Sequence, residues 1–219
     1  MVLVVYDLLE VEGRDVRAET LAWRRSRMEE LIANARSTAF VLSPMVSVAS
    51  WDDARVAQGR AREMSAEGLM LKRRDGVYGV GRRKGGWWKW KVQPYTVDAV
   101  MIYAQPGHGR RASLHTDYTF AVWKEGVLVP FAKAYSGLTD PEIRELDAWI
   151  RRNTVEKFGP VRHVKPEHVF ELGFEGIQAS PRHKSGVAVR FPRILRWRTD
   201  KKPEDADTIE TLNALLLSS

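Results

Sequence analysis

The chain has 219 residues, with 35 Lys and Arg against 28 Asp and Glu, a formal net charge of +7, five histidines and no cysteine. That length supplies ample core, and two compact units are expected. The lack of cysteine excludes a disulfide framework, a thiolate metal site and a cysteine nucleophile, the histidines have no zinc-ligand spacing, and the positive balance suits a polyanion, nucleic acid or nucleotide first.

In chain order, the opening MVLVVYDLL is apolar but has no basic leader and meets Asp7 after six residues. It reads as a buried strand over residues 2–9 rather than a secretion signal or membrane span, and a cytoplasmic protein with no membrane partner is expected. A turn at "GRD" precedes a helix from Thr20 to Ala35, where Leu21, Met28, Leu31 and Ile32 fall at helical spacing over a charged opposite face. Residues 37–48 read as a strand running into a loop at Pro44. Ser50 is a candidate N-cap for a helix from Trp51 to about Ser65. Two strands, Gly68–Lys72 and Trp87–Val92, are joined by a connection rich in Gly and Arg.

Pro94 marks a boundary. Beyond it come five short strand-like runs, 97–103, 118–123, 127–134, 169–178 and 187–191, interrupted by one helix over 140–153 with Thr139 as cap and Pro141 in its first turn. Five strands and one interposed helix are the parts of an OB-fold barrel, an architecture that often binds nucleic acid. A terminal helix is expected over 204–217.

The stretch "EGLMLKRRDGVYGVGRRKGGWWKWK", residues 67–91, concentrates eight Lys and Arg, three Trp and only two acidic side chains. It reads either as a solvated hairpin with tryptophan anchors or as an anion site. Alternation in "WWKWK" puts Lys89 and Lys91 on one face of a strand and Trp88 and Trp90 on the other. Two ammonium groups aimed at one place repel unless an anion lies between them, and a phosphate meets that need. Glu67, opening the neighbouring strand, is useful beside a phosphate when a hard cation such as magnesium bridges the two. One carboxylate and two lysines outline a phosphoryl-transfer site.

"EGLMLK" followed by "WWKWK" resembles motifs IV and V of the covalent nucleotidyltransferases, in particular the ATP-dependent DNA ligases. "VVYDLLEVEGRDVR" is similar to the motif III region, and "RFPRILRWRTDK", residues 190–201, to motif VI. Four elements in the family's order cover nearly the whole chain. The resemblance implies an α+β protein: part of an adenylation (nucleotidyltransferase) domain over residues 1–93, an OB-fold β-barrel over 94–203 and a helical tail over 204–219. It implies three steps with ATP and Mg2+: lysine adenylation, transfer of AMP to the 5′-phosphate of nicked duplex DNA, and attack by the 3′-hydroxyl. By residue, it implies that Tyr6 covers the purine, Lys89 and Lys91 contact the nucleotide phosphate, Glu67 helps hold magnesium, and Arg198, Asp200 and Lys201 orient the leaving pyrophosphate. Arg190, Arg193 and Arg196, with Arg110, Arg111 and Lys184, suit DNA backbone contact.

The family's nucleophile is the lysine of Lys-x-Asp-Gly, and that tetrapeptide does not occur here; "KRRDG", residues 72–76, has one residue too many. Met1 falls at motif III, so the chain is expected to be the C-terminal portion of a ligase, inactive by itself in self-adenylation, with a separate upstream ligase half as a further partner. Three readings stand beside it: a non-catalytic nucleic-acid-binding OB module, one half of a split ligase, and RNA ligation or capping, which shares motifs III to V.

Overall fold

A computed structural model describes residues 2–64, 66–81 and 83–217. Ser65, at the expected end of the second helix, Arg82 of the basic connection and the last two residues of the tail lie outside the described residues. The chain divides into two compact units, Met1–Val92 and Gln93–Ser219. Among the described residues no helix is long and apolar enough to cross a membrane.

In the first unit, strand Leu3–Val5 pairs in parallel with Phe40–Leu42. The expected buried strand is a correction: Leu3 and Val4 are 60% and 58% exposed. Apolar composition does not by itself bring burial: a three-residue strand paired on one edge with an equally short partner buries little within its unit. Helix Leu21–Ala35 starts where expected, with the Thr20 hydroxyl accepting from the Trp23 N–H at 3.2 Å, and stops at Arg36 in the left-handed conformation. Its buried side chains are Met28 and, against the amphipathic reading, Arg24. Ser50 caps the next helix through the Asp53 N–H at 3.1 Å. That helix is regular over Trp51–Gly59 and continues as a 3-10 turn over Arg60–Met64. Strands Gly68–Lys72 and Trp87–Lys91 pair antiparallel, with Gly68 opposite Lys91, Met70 opposite Lys89 and Lys72 opposite Trp87.

The second unit is built on one long strand, Tyr95–Pro106. On one edge it carries Val169–Phe174 and then Val161–Val164; on the other it carries His115–Lys124, followed by Val127–Ala134. Thr154–Phe158 and Arg193–Trp197 complete a seven-stranded antiparallel sheet. The apolar run of the central strand does not alternate because both faces are covered. Val97, Ala99 and Met101 join the main core with Phe120, Phe170 and Leu146 of helix Asp140–Arg152, while Val100 and Ile102 pack with Val169 and Ala206 on the other face. Each such buried apolar side chain contributes about 1.5–3 kcal/mol.

The mixed class and the OB-like sheet agree with expectation, but the expected closed barrel does not form. No strand ladder joins Val127–Ala134 to Arg193–Trp197. The gap is spanned by a backbone bond from the Ile194 N–H to the Ser136 carbonyl, 2.9 Å. The run 169–178 breaks at Glu175, and its second part, Gly176–Ala179, pairs with Val187–Arg190 in a separate hairpin. The expected terminal helix is likewise split, into a 3-10 turn at Pro203–Asp205 and a helix over Ile209–Leu217.

Gly137 makes the near-closure at Ser136 possible. It sits at φ +119°, and a Cβ there would collide with the Ile194 carbonyl. Gly137→Ala is expected to lower the stability of the second unit by about 1–3 kcal/mol through backbone strain. Thermal denaturation checks this, and an unchanged melting temperature would show that the contact carries no load.

Candidate functional site

The paired strands of the first unit build the first candidate site. Side chains directly opposite each other in an antiparallel pair share a face, so Gly68, Met70 and Lys72 stand with Trp87, Lys89 and Lys91. The other face holds Trp88 and Trp90, and Trp90 meets Trp51 edge-on at 6.1 Å. The separation of lysines from Trp88 and Trp90 read from the alternation is therefore present.

Lys89 and Lys91 are two residues apart on one strand, so their Cα atoms lie about 7 Å apart. The Lys91 Nζ sits 2.9 Å from Glu67 Oε2. Glu67 is held at the strand entrance, where its carbonyl accepts from the Val92 N–H at 3.0 Å. Next to it, Gly68 has φ +141°, and a Cβ would strike the Trp90 carbonyl, so the close approach of the strands requires glycine. Lys89 is exposed, and among the described residues it has no ion-pair partner.

At the far end of the same face, the Lys72 Nζ lies 4.0 Å from the centroid of Trp87 and 4.9 Å from that of Tyr6. Burial pushes the Lys72 ammonium below its ordinary pKa, partly offset by Asp7. Tyr6 is 54% exposed, so it is not a core aromatic and its ring is open to a ligand. Sequence reasoning missed Lys72 and Trp87 as members of this face, although the alternation that places Lys89 also places them.

Behind Tyr6, Arg24 is fully buried against Asp7, with Nε to Oδ1 at 2.7 Å and Nη2 to Oδ2 at 3.1 Å. Its Nη1 donates to the Glu19 carbonyl at 2.6 Å, and its guanidinium lies over Tyr78. Tyr78 in turn meets Trp87 edge-on at 5.4 Å. A single buried cation thus ties the segment that follows strand Leu3–Val5 to the aromatic end of the site.

In the second unit the structure gathers Arg198, Asp200 and Lys201. Arg198 Nε and Nη2 grip Asp200 at 2.9 and 2.7 Å, which raises the arginine and depresses the aspartate from their ordinary pKa values. Its remaining amino group, Nη1, donates to Asp98 at 3.2 and 2.9 Å, and Lys201 Nζ reaches Asp98 Oδ2 at 2.6 Å. Asp98 was not anticipated. The signal was one acidic residue inside the apolar run "VDAVMIYA".

The arginine and lysine set assigned to DNA is dispersed over several elements. Arg110 and Arg111 lie in the 3-10 turn between the first two strands of the sheet, and Arg111 pairs with Asp140 at 2.6 Å. Lys184 is exposed in the connection between the strands of the separate hairpin. The Arg190 guanidinium lies over the Phe191 ring. Arg193 pairs with the buried Glu175 at 2.9 Å, and Arg196 with Glu171, its cross-strand neighbour, at 3.0 Å. Among the described residues no group of three or more His, Asp or Glu forms a metal cage.

Two family models match the chain: the ATP dependent DNA ligase domain over residues 1–91 and the ATP dependent DNA ligase C terminal region over residues 111–201. A probable DNA ligase of Koribacter versatilis is 48% identical over 150 residues, 68% of this chain and 26% of that protein. A DNA ligase of Thermococcus fumicolans is 35% identical over 215 residues, 97% of this chain and 38% of that protein. The chain therefore spans well under half the length of these curated relatives. A solved structure from work on Lig E DNA ligases superposes with a TM-score of 0.62 at 18% identity, covering 89% of this chain and 62% of that one, a likeness of fold. Matched over both of its units, in order, the chain belongs to the ATP-dependent DNA ligase family.

Proposed function

We propose that the chain provides the nucleotide-phosphate and DNA-backbone machinery of an ATP-dependent ligase that seals nicks in duplex DNA in the cytoplasm. The observation that carries this reading is the strand face that presents Lys89 and Lys91, with Glu67 paired to Lys91 at the strand entrance and Tyr6 beside Lys72 at the far end. Tyr6 offers an open ring to the adenine. Lys89 and Lys91 counter the charge on the α-phosphate as the bond to pyrophosphate or to AMP breaks. Arg198 and Lys201 bind the pyrophosphate as it leaves, with Asp200 holding the Arg198 fork in plane.

Magnesium suits Glu67 only in part. One carboxylate does not hold the ion, but magnesium commonly rests on one or two carboxylates plus substrate phosphates. When bound, the ion neutralises phosphate charge beside Glu67; the chain's own contribution is to keep that carboxylate at the strand entrance. The attacking lysine in this scheme belongs to a Lys-x-Asp-Gly segment, and a separate polypeptide carrying one is the proposed partner. The test is sealing of a 5′-phosphorylated nick by the chain with ATP, magnesium and such a polypeptide. Joining that is the same with the chain omitted overturns the reading.

The dispersed cations Arg110, Arg111, Lys184, Arg190, Arg193 and Arg196 are the proposed backbone contacts. If all six neutralise a phosphate, log affinity for duplex DNA falls with log salt at a slope of about −5, a loss of about 10³-fold between 50 and 200 mM salt. Fluorescence anisotropy at several salt concentrations measures the slope. A value near zero would remove the electrostatic account, and one near −3 would show that Arg111, Arg193 and Arg196 keep their carboxylate partners on DNA.

A further inference from the structure

Arg198 and Lys201 are the cations that the reading above gives to a polyphosphate, yet both are already occupied. The Asp98 side chain is 10% exposed, and its carboxylate takes two bonds from Arg198 and one from Lys201. With Asp200 on the other edge of Arg198, two carboxylates balance the two cations, and the Asp207 carboxylate bonded to the Asp98 N–H adds negative charge beside them. An approaching anion meets no net attraction there.

Asp98 is also the fixed member of the cluster. It lies on the central strand of the sheet, its N–H donates to Asp207 Oδ2 at 2.7 Å, and its carbonyl accepts from the Asp207 N–H at 2.8 Å. Arg198 and Lys201 follow the last strand of the sheet on a segment that is partly exposed. In any exchange of partners the cations move and Asp98 stays. A phosphodiester carries one negative charge and offers no more than the carboxylate it would replace. A pyrophosphate or triphosphate carries three or four and can hold both cations at once.

We propose that Asp98 is an internal counter-ion that competes with polyphosphate for Arg198 and Lys201, keeping them off singly charged DNA phosphates until a polyphosphate draws them away. This rests on the assignment of Arg198 and Lys201 to phosphate binding. It adds a positioning residue that acts through them.

The experiment is calorimetric binding of inorganic tripolyphosphate to the 219-residue chain, to Asp98→Asn and to Asp98→Asn combined with Arg198→Gln. Removing one charge that directly opposes the ligand is expected to tighten binding about tenfold or more in Asp98→Asn. The added Arg198→Gln is expected to reverse the gain. Equal affinity in the chain and Asp98→Asn, lost in the double variant, overturns the counter-ion role but leaves the phosphate assignment standing. No Arg198-dependent binding in any form overturns both. Because Asp98→Asn also removes partners from a buried cluster, its melting curve is recorded, and the unmodified chain supplies an independent reading. The carboxyl carbon resonance of Asp98 is expected to shift on titration with tripolyphosphate together with the Lys201 side-chain signals. A shift at Lys201 with Asp98 unmoved overturns the proposal whatever the variant does.

Discussion

Arg24→Ala is expected to cost the first unit about 3–5 kcal/mol, the usual consequence of deleting one member of a buried ion pair. The Asp7 side chain is 3% exposed and the Arg24 side chain 0%. Without the guanidinium, Asp7 keeps, among the described residues, a local bond from the Leu8 N–H, and the Glu19 carbonyl loses the Arg24 donor. The cavity adds to the loss, because Arg24 is among the largest fully buried side chains in the chain. Domain stabilities of 5–15 kcal/mol leave little after such a change. Urea denaturation followed by tryptophan fluorescence reads the effect, since Trp23, Trp51, Trp87, Trp88 and Trp90 all belong to this unit. Arg24→Lys should recover only part of it: one ammonium cannot span both Asp7 oxygens and reach the Glu19 carbonyl. A stable Arg24→Ala unit with unchanged tryptophan emission would show that the pair is dispensable.

Why Arg24 escaped the sequence reading bears on how much of this molecule is legible. Helical periodicity located the Leu21–Ala35 helix and its Thr20 cap, because those depend on neighbours in sequence. The burial of Arg24 depends on Asp7, 17 positions earlier, and on Tyr78, which comes from the distant connection between the two paired strands. By pattern alone an arginine belongs to the wet face. Leu3–Val5 failed in the opposite direction, since β-branched composition speaks for strand but not for a covered face. The hairpin Thr154–Phe158 with Val161–Val164 went unseen because its first strand is almost wholly exposed and shows no apolar alternation. Its Gly159–Pro160 turn was the available signal.

The candidate site was more legible than the fold around it. Two-residue alternation is a local rule, and it placed Lys89, Lys91 and the opposing tryptophans as the register shows them. It stopped short of Lys72 and Trp87, which the same rule puts on the same face. In the second unit, proximity of Arg198, Asp200 and Lys201 follows from their spacing along the chain. Their pairing with Asp98, about a hundred residues earlier, is set by the sheet and was beyond local reading.

Lys89→Ala is expected to slow nick joining by about 10²–10³-fold in a reaction containing the Lys-x-Asp-Gly polypeptide, ATP and magnesium, the typical cost of removing one preorganised group that stabilises transition-state charge. The strand ladder on which Lys89 stands fixes its Cα opposite Met70, and its side chain is exposed, so alanine leaves the fold intact and the melting temperature within about a degree or two. The defect should fall mainly on the maximal rate, because charge on the bridging oxygen grows as the phosphate bond breaks and a cation aimed there matters most at that point. Lys89→Arg should restore little, since the guanidinium is longer and planar where the site presents a compact charge. Lys91→Ala should show a similar loss and in addition leave Glu67 without the ammonium now 2.9 Å away, whereas Glu67→Ala should raise the magnesium concentration needed for half-maximal rate. Single-turnover joining of a nicked duplex over a magnesium series separates these outcomes. Parental rates in Lys89→Ala and Lys91→Ala would mean that the lysine face of this hairpin is only a solvated surface.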